Sequence, residues 1–243
     1  MLKTKRWLSW LMALVTALLV LSGSIAAPLL CRPFYYAQIG PLGLEAQTGL
    51  TRGEIQTAFD QVMDFCLGLR PDFAAGILPF SPSGASHFAD VRGLFLLDLW
   101  VLGLSALALA GLFVLCRKRK LRPALLAGHG PGFWAAVGLG AVFALLGGLA
   151  ATDFDRAFVL FHSLFFPGKT NWIFDGRTDP VIWLLPEQFF ASCALLILAL
   201  LLVWCALLIG ADLWACRRRK RQWAAMRAAA PECMKKDIPA EMP

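Results

Sequence analysis

Two histidines lie where the chain passes between polar and apolar sequence, and each has an acid close by. His87 comes just before the second of four long apolar runs, and His162 follows the third. Asp90 lies three residues after His87, and Asp155 lies seven residues before His162. On a helix these offsets bring acid and imidazole to one face, where a carboxylate orients the imidazole and raises its basicity. The pattern suits general-base catalysis near neutral pH; two histidines bound to headgroups or loops remain the alternative.

Two other kinds of site fit these residues less well. Both histidines with Asp90 or Asp155 could bind a metal, but no ligand spacing of a known type is present. Ser86 and Ser163 each neighbour a histidine, yet no Gly-x-Ser-x-Gly turn surrounds either of them. The third histidine, His129, lies in a Gly-His-Gly-Pro turn and is interpreted as a loop residue without a catalytic role. We therefore expect neither a metal nor a cofactor.

Further charged residues could support the histidines. Arg92 and Arg156 lie at predicted helix ends and could bind a phosphate or carboxylate, or extend to lipid headgroups. Asp98 lies within the second apolar run, beyond Asp90. Because an acid is costly in hydrocarbon, we expect Asp98 to face the interior, either reaching toward the histidines or bonding to another helix.

Four apolar runs must position these residues. The chain of 243 residues is 58% hydrophobic and 16% charged, outside the range of ordinary soluble domains. A helix needs roughly 20 apolar residues to cross the hydrocarbon core, and the runs at about 7–30, 91–115, 133–151 and 189–213 are long enough. The sequence predicts an all-α membrane protein with four transmembrane helices, forming a single domain over residues 1–243.

The first run has a second interpretation. A basic start and the small residues Ser24, Ala26 and Ala27 resemble a secretory signal peptide. However, the run exceeds the roughly 7–15 apolar residues of a signal-peptide core. A retained membrane span is therefore the favoured interpretation.

The basic residues indicate the orientation of the spans. Most of the 23 lysines and arginines lie in three clusters, at 3–6, 117–122 and 217–236. These clusters alternate along the spans, and the positive-inside rule assigns them to the cytoplasm. Both termini, the loop 116–132 and the tail 214–243 are then cytoplasmic, while segments 31–90 and 152–188 form a small extracytoplasmic cap. Since the clusters are topology signals, we expect no nucleic-acid partner despite the net charge of +7.

The two outside segments carry local signals of their own. In the first, Thr51 and Glu54 form a capping-box pattern that predicts a helix ending by residues 70–72. Cys31 and Cys66 are the cysteines of this segment, and a disulfide between them stays open. The second segment is rich in aromatic residues, which are typical anchors at a membrane interface.

Several motifs in order along the chain resemble a known family. These are Leu-Thr-x-x-Glu-Ile at 50–55, His-x-x-Asp-Val-Arg at 87–92, Phe-His-x-x-Phe-Phe at 161–166, Trp-x-Phe-Asp at 172–175, Asp-Pro-Val-Ile at 179–182 and Leu-Pro-Glu-x-Phe-Phe at 185–190. With the four spans, they resemble the bacterial membrane family of the lipoprotein intramolecular transacylase, Lit. The resemblance implies two essential histidines, at His87 and His162, beneath an outer cap.

The resemblance also implies an activity. In that family the sn-2 acyl chain of a diacylglyceryl group moves to the α-amino group of the lipidated N-terminal cysteine, giving a lyso-form lipoprotein. The expected partners are diacylglyceryl-modified lipoproteins and membrane lipids, in the bacterial cytoplasmic membrane. A non-catalytic membrane scaffold is the alternative, and a transporter is disfavoured because the spans carry only Asp98 as a buried charge and show no repeat.

Overall fold

Four long helices form the body of the protein. The computed structural model describes residues 3–229. The last part of the predicted cytoplasmic tail, 214–243, lies outside the described residues. The long helices are α1 (Arg6–Leu30), α5 (Pro82–Arg119), α6 (Pro131–Thr152) and α8 (Glu187–Ala229), and each is long and apolar enough to cross a membrane. Side chains such as Trp100, Leu107 and Leu145 are exposed on their outer faces. Apolar exposure on this scale fits contact with lipid rather than with water.

Helix α1 lies at the centre of the bundle. It packs against α5, α6 and α8, whereas α6 pairs mainly with α8. Its contact faces carry small polar residues, Ser22 and Ser24, and the Ser24 hydroxyl donates to the Val20 carbonyl (2.8 Å), so its polar group is satisfied within the helix. Small residues let membrane helices approach closely. This central packing favours a retained span over a cleaved signal peptide for α1.

One end of the bundle holds the basic residues and a short sheet that the all-α prediction missed. Strand β1 (Lys3–Lys5) pairs in parallel with β2 (Leu121–Pro123), and the Ser9 hydroxyl donates to the Ala124 carbonyl (2.7 Å). Three-residue strands are too short to show an alternating pattern in sequence. At the same end, the Asp212 carboxylate of α8 accepts hydrogen bonds from His129 Nδ1 (2.6 Å) and from the Gly130 amide (2.8 Å). His129 therefore fastens the loop between α5 and α6 to α8.

The opposite end carries the short helices α2 (Arg32–Tyr36), α3 (Leu44–Thr48), α4 (Arg52–Cys66), α7 (Phe154–Phe165) and a 3₁₀ helix (Pro180–Leu184). All of them except α7 share a common hydrophobic core. The capping box of Thr51 and Glu54 is present at the start of α4, as predicted. Helix α4 ends at Cys66, a few residues earlier than predicted, because the Leu69 and Arg70 amides turn back to the Asp64 carbonyl.

Tyr35 ties the two predicted outside segments together. Its ring stacks on Phe59 of α4 (centroids 3.7 Å apart) and meets the edge of Phe189 at the start of α8. Its hydroxyl donates to the carbonyl of Leu184 in the 3₁₀ helix (2.8 Å). The tyrosine is 1% exposed, so this bond lies inside the core. Residues 32–66 and 180–190 therefore share one core.

The cysteines of this end are both free thiols. Cys66 is buried in the core beneath α5, while Cys31 is exposed at the end of α1. Cys31 and Cys66 therefore do not form the disulfide that the sequence allowed. Burial raises the pKa of the Cys66 thiol to about 12, which keeps it protonated and unreactive.

Candidate active site

The structure brings the two predicted histidines together. His87 lies in the first turns of α5, which begins at Pro82 and so includes the residues expected just before the span. His162 lies in the last turn of α7. The two ring centroids are 5.8 Å apart with an interplanar angle of 33°, and the residues are 5% and 8% exposed. Both imidazoles can therefore reach one reacting group in a site shielded from water.

Helix α7 exists as a separate helix because Asp153 interrupts the chain after α6. Asp153 adopts an extended conformation (φ −161°), and its carboxylate accepts the Arg156 amide (2.9 Å) as an N-cap. One face of α7 exposes Leu160 and Leu164, at 67% and 71%, whereas His162 points into the protein. Such an amphipathic pattern is typical of helices that lie in a membrane interface.

A hydrogen bond selects the tautomer of His162. Its Nδ1 lies 2.8 Å from the Phe158 carbonyl oxygen. Because a carbonyl can only accept, Nδ1 carries the hydrogen and Nε2 keeps a free lone pair. Burial of the ring lowers the pKa of His162 from its usual value, although the bond to Phe158 acts in the opposite direction. His162 is therefore neutral at pH 7 and able to accept a proton through Nε2.

Aromatic rings surround both histidines. Phe166 contacts both, with centroids at 5.0 Å from His87 and 5.7 Å from His162, and Phe174 meets the edge of His87 at 5.5 Å. Trp172 stacks on His162 at 4.7 Å. His87 Nδ1 is buried and has no hydrogen-bond partner among residues 3–229. The second segment's aromatic residues, predicted only as interface anchors, thus also form the walls of the site.

The predicted carboxylate partners do not bond to the histidines. Asp90 Oδ1 accepts a hydrogen bond from Lys169 Nζ (2.6 Å), and Asp90 Oδ2 accepts one from Asn171 Nδ2 (3.0 Å). Both carboxylate oxygens therefore have partners. Asp155 lies near the start of α7 and shares a hydrogen bond with Glu187 of α8. Lys169, Asn171 and Trp172 were not singled out as working residues, because only the folded chain brings their loop over α5.

The other predicted supporting residues lie away from the imidazoles. Arg92 donates to the Arg70 carbonyl (3.1 Å) and stacks over the ring of Phe65. Arg156 is exposed on α7. Asp98 lies close to Ser22 of α1 inside the bundle, and its buried Oδ2 has no hydrogen-bond partner among the described residues.

No metal site accompanies the histidines. The part of the chain that the structure describes contains no group of three or more His, Cys, Asp or Glu residues that could hold a metal ion.

The docking of the second segment onto α5 depends on a glycine. Asp179 is 4% exposed and accepts the Ser81 amide (2.7 Å) at the N-terminus of α5. A Cβ atom at Gly84 would collide with the Asp179 carboxylate and approach the Phe174 ring at 3.1 Å. Gly84 therefore permits the close approach that places Phe174 against His87.

We expect Gly84→Val to displace this segment and lower activity by roughly 10–100-fold, because small misplacements in a catalytic site carry large costs. Activity and thermal unfolding of the variant measure the effect. Gly103→Val, in the same helix with open space around it, is the matched control. Equal losses in both variants would contradict the docking role of Gly84.

These features define a class of protein: an integral membrane protein whose four-helix bundle carries two buried histidines at one end. Residues 10–190 match the family model described as "Lipoprotein intramolecular transacylase Lit", and the chain belongs to that family. The sequence matches none of the curated proteins with which it was compared.

Solved structures share the fold. The membrane-integral lipoprotein intramolecular transacylase Lit from Bacillus cereus is similar with a TM-score of 0.79 and 22% identity, over 89% of this chain and 97% of that chain. Two structures of that Bacillus cereus protein with one histidine replaced, by arginine or by alanine, have TM-scores of 0.72 and 0.73 at 22% identity. These cover 89% of this chain and 93% and 95% of those chains.

Proposed function

We propose that this protein is a lipoprotein intramolecular transacylase. It moves the sn-2 acyl chain of a diacylglyceryl group to the α-amino group of the lipidated N-terminal cysteine and releases a lyso-form lipoprotein. The observation that carries the proposal is the buried pair of His87 and His162, with a free lone pair on His162 Nε2. Membership in the Lit family supports the same activity.

His162 acts as the general base. The α-ammonium of the lipidated cysteine loses one proton to water, and the neutral amine then attacks the carbonyl carbon of the sn-2 ester. As the new C–N bond forms, His162 Nε2 accepts the remaining surplus proton from nitrogen. A base held in this way typically contributes about 10²–10⁴-fold.

His87 acts as the acid for the leaving group. The carbonyl re-forms when the C–O bond to glycerol breaks. The glycerol oxygen takes the N–H proton of the buried, neutral His87 while the protonated His162 passes its proton to the His87 ring, so both imidazoles end neutral. The amine and the ester belong to one substrate, so binding both ends holds them close together, and no covalent enzyme intermediate is needed. The aromatic walls of the site restrict water, which would otherwise hydrolyse the ester.

The site faces the outside of the cell in this proposal. The histidine end lies opposite the end that holds β1, β2 and the Arg217–Arg221 cluster. By the positive-inside rule the basic end is cytoplasmic. Both termini are then cytoplasmic, and the short helices form an extracytoplasmic cap over the membrane bundle. The substrates, diacylglyceryl lipoproteins anchored in the outer leaflet, meet the histidines at headgroup depth.

Mass spectrometry of N-terminal lipopeptides tests the function. We expect that expression in a host with diacyl lipoproteins converts them to the lyso-form, with an amide-linked acyl chain on the cysteine. The same host carrying an empty vector is the control. Unchanged diacyl lipopeptides at confirmed expression in the membrane would overturn the proposal. A scaffold would leave them unchanged, and no observation favours that alternative.

A further inference from the structure

The loop after α7 lies across both histidines. Trp172 of this loop stacks on His162, and Phe174 packs against His87. Between the end of α7 and Trp172, the Lys169 ammonium reaches Asp90, one helical turn after His87. The loop thus brings a cation to the edge of the histidine pair.

Asp90 fixes the position of that cation. Its Oδ1 accepts Lys169 Nζ, while its Oδ2 accepts the Asn171 amide, which also reaches the Ser86 hydroxyl (3.4 Å). With both oxygens engaged, the carboxylate cannot rotate without losing a bond. An ammonium group has three N–H donors, and the bond to Asp90 uses one of them. Lys169, whose side chain is half exposed, therefore keeps donors available at Asp90, one helical turn from His87.

In the proposed mechanism His162 is the base and His87 donates to the leaving oxygen, so acyl transfer needs a further donor for the oxyanion. The attack on the ester turns its carbonyl oxygen into an oxyanion, and a fixed donor at that oxygen is commonly the largest single catalytic contribution. His162 Nδ1 is bound to Phe158, and its Nε2 must stay free as base. Arg92 is bound to the Arg70 carbonyl and the Phe65 face. Lys169 is the cation that this loop holds at Asp90, one helical turn after His87.

We propose that Lys169, held by Asp90, is a further catalytic residue that donates a hydrogen bond to the oxyanion of the tetrahedral intermediate. This inference rests on the proposed transacylase function. The amine lone pair forms the C–N bond, and the C=O π pair moves to the oxygen that Lys169 binds. The pair returns as the glycerol C–O bond breaks, and Lys169 keeps all its protons throughout.

The first test separates rate from binding. We expect Lys169→Met to lower kcat about 100-fold with KM changed less than threefold, since an oxyanion donor stabilises only the transition state. Lys169→Arg keeps a cation and recovers at least tenfold of the loss. Asp90→Asn frees the lysine and costs about tenfold. Arg177→Met removes an exposed cation of the same segment and is the matched control, with unchanged kcat.

The second test uses two unreactive lipopeptides with the diacylglyceryl-cysteine framework. In one, an anionic phosphonate replaces the sn-2 ester carbonyl and imitates the oxyanion; in the other, a neutral ether replaces the ester. The wild-type protein should bind the phosphonate more tightly, and Lys169→Met should reduce that preference at least tenfold. A role of Lys169 in holding the loop alone would weaken both ligands equally, which would overturn the inference.

The outcomes distinguish this inference from the proposed function. If the wild-type protein neither binds a lipopeptide nor forms lyso-lipoprotein, both the proposed function and the role of Lys169 are contradicted. If Lys169→Met keeps wild-type binding and turnover, only the proposed role of Lys169 is contradicted. Lys169→Met could be less stable than Lys169→Arg. The ratio of phosphonate affinity to ether affinity still reports the role of Lys169, because only folded protein binds either ligand.

Discussion

Replacing His162 with alanine is expected to lower the rate of transacylation by about 10²–10⁴-fold, the usual contribution of a positioned general base. Without an imidazole at this position, no group accepts the proton from the attacking amine. The fraction of lyso-form lipopeptide produced per unit time, measured by mass spectrometry with purified protein and a synthetic diacyl lipopeptide, gives the rate.

His129→Ala is the control because it also removes an imidazole, at the opposite end of the bundle, where His129 bonds to Asp212. Its rate should stay within about threefold of the wild type. Protonation of the substrate amine gives the wild-type rate a first acid limb at about pH 8. Since burial lowers the pKa of His162 from its usual value, protonation of the base adds a second acid limb below about 6.5, the ordinary pKa of histidine. His162→Ala should lack this second limb. Wild-type activity in His162→Ala would refute its role as base.

Replacing His87 with alanine is expected to lower the same rate by about 10²–10³-fold, because the glycerol oxygen must then leave without an acid. His87 is buried beside Phe166 and Phe174, so its loss also leaves a cavity between those rings. His87→Asn keeps a polar side chain of moderate size and controls for that cavity. Both variants should be equally slow if proton donation is the role of His87.

A change of leaving group distinguishes the roles of the two histidines. A substrate whose glycerol oxygen is made more acidic by fluorine needs less help to leave. It should restore much of the rate in His87→Ala and little in His162→Ala. The double variant should be scarcely slower than either single variant, because residues that act as a unit are not additive. The opposite pattern of rescue would exchange the two roles.

Local sequence predicted several parts of the structure correctly. The four spans and the capping box of Thr51 and Glu54 need only composition and short-range spacing, and both are present. The helices themselves extend past the predicted spans. Helix α5 begins at Pro82, because Ser81 caps it, and α8 continues into the predicted tail as far as Ala229. Polar residues extend a helix beyond the bilayer without any break in periodicity, so hydropathy does not mark its end.

The carboxylate partners show where spacing alone misleads. Asp155 does share a helix with His162, but seven residues at 1.5 Å each separate them by about 10 Å along the axis, too far for contact. Asp90 is one turn from His87, yet its oxygens bond to Lys169 and Asn171, from 79 and 81 residues further along the chain. Those bonds compete with the imidazole, and only the fold introduces the competitors.

The sequence by itself determined that this is a four-span membrane protein, and it selected His87 and His162 as the candidates for its chemistry. Hydrophobic length and charge clusters act locally, so they can be recognised without a fold. The tertiary structure alone decided that the two rings meet at 5.8 Å, that the Phe158 carbonyl holds the hydrogen on His162 Nδ1, and that Lys169 bonds to Asp90, one helical turn after His87. These contacts join distant parts of the chain or depend on side-chain direction, which spacing does not encode.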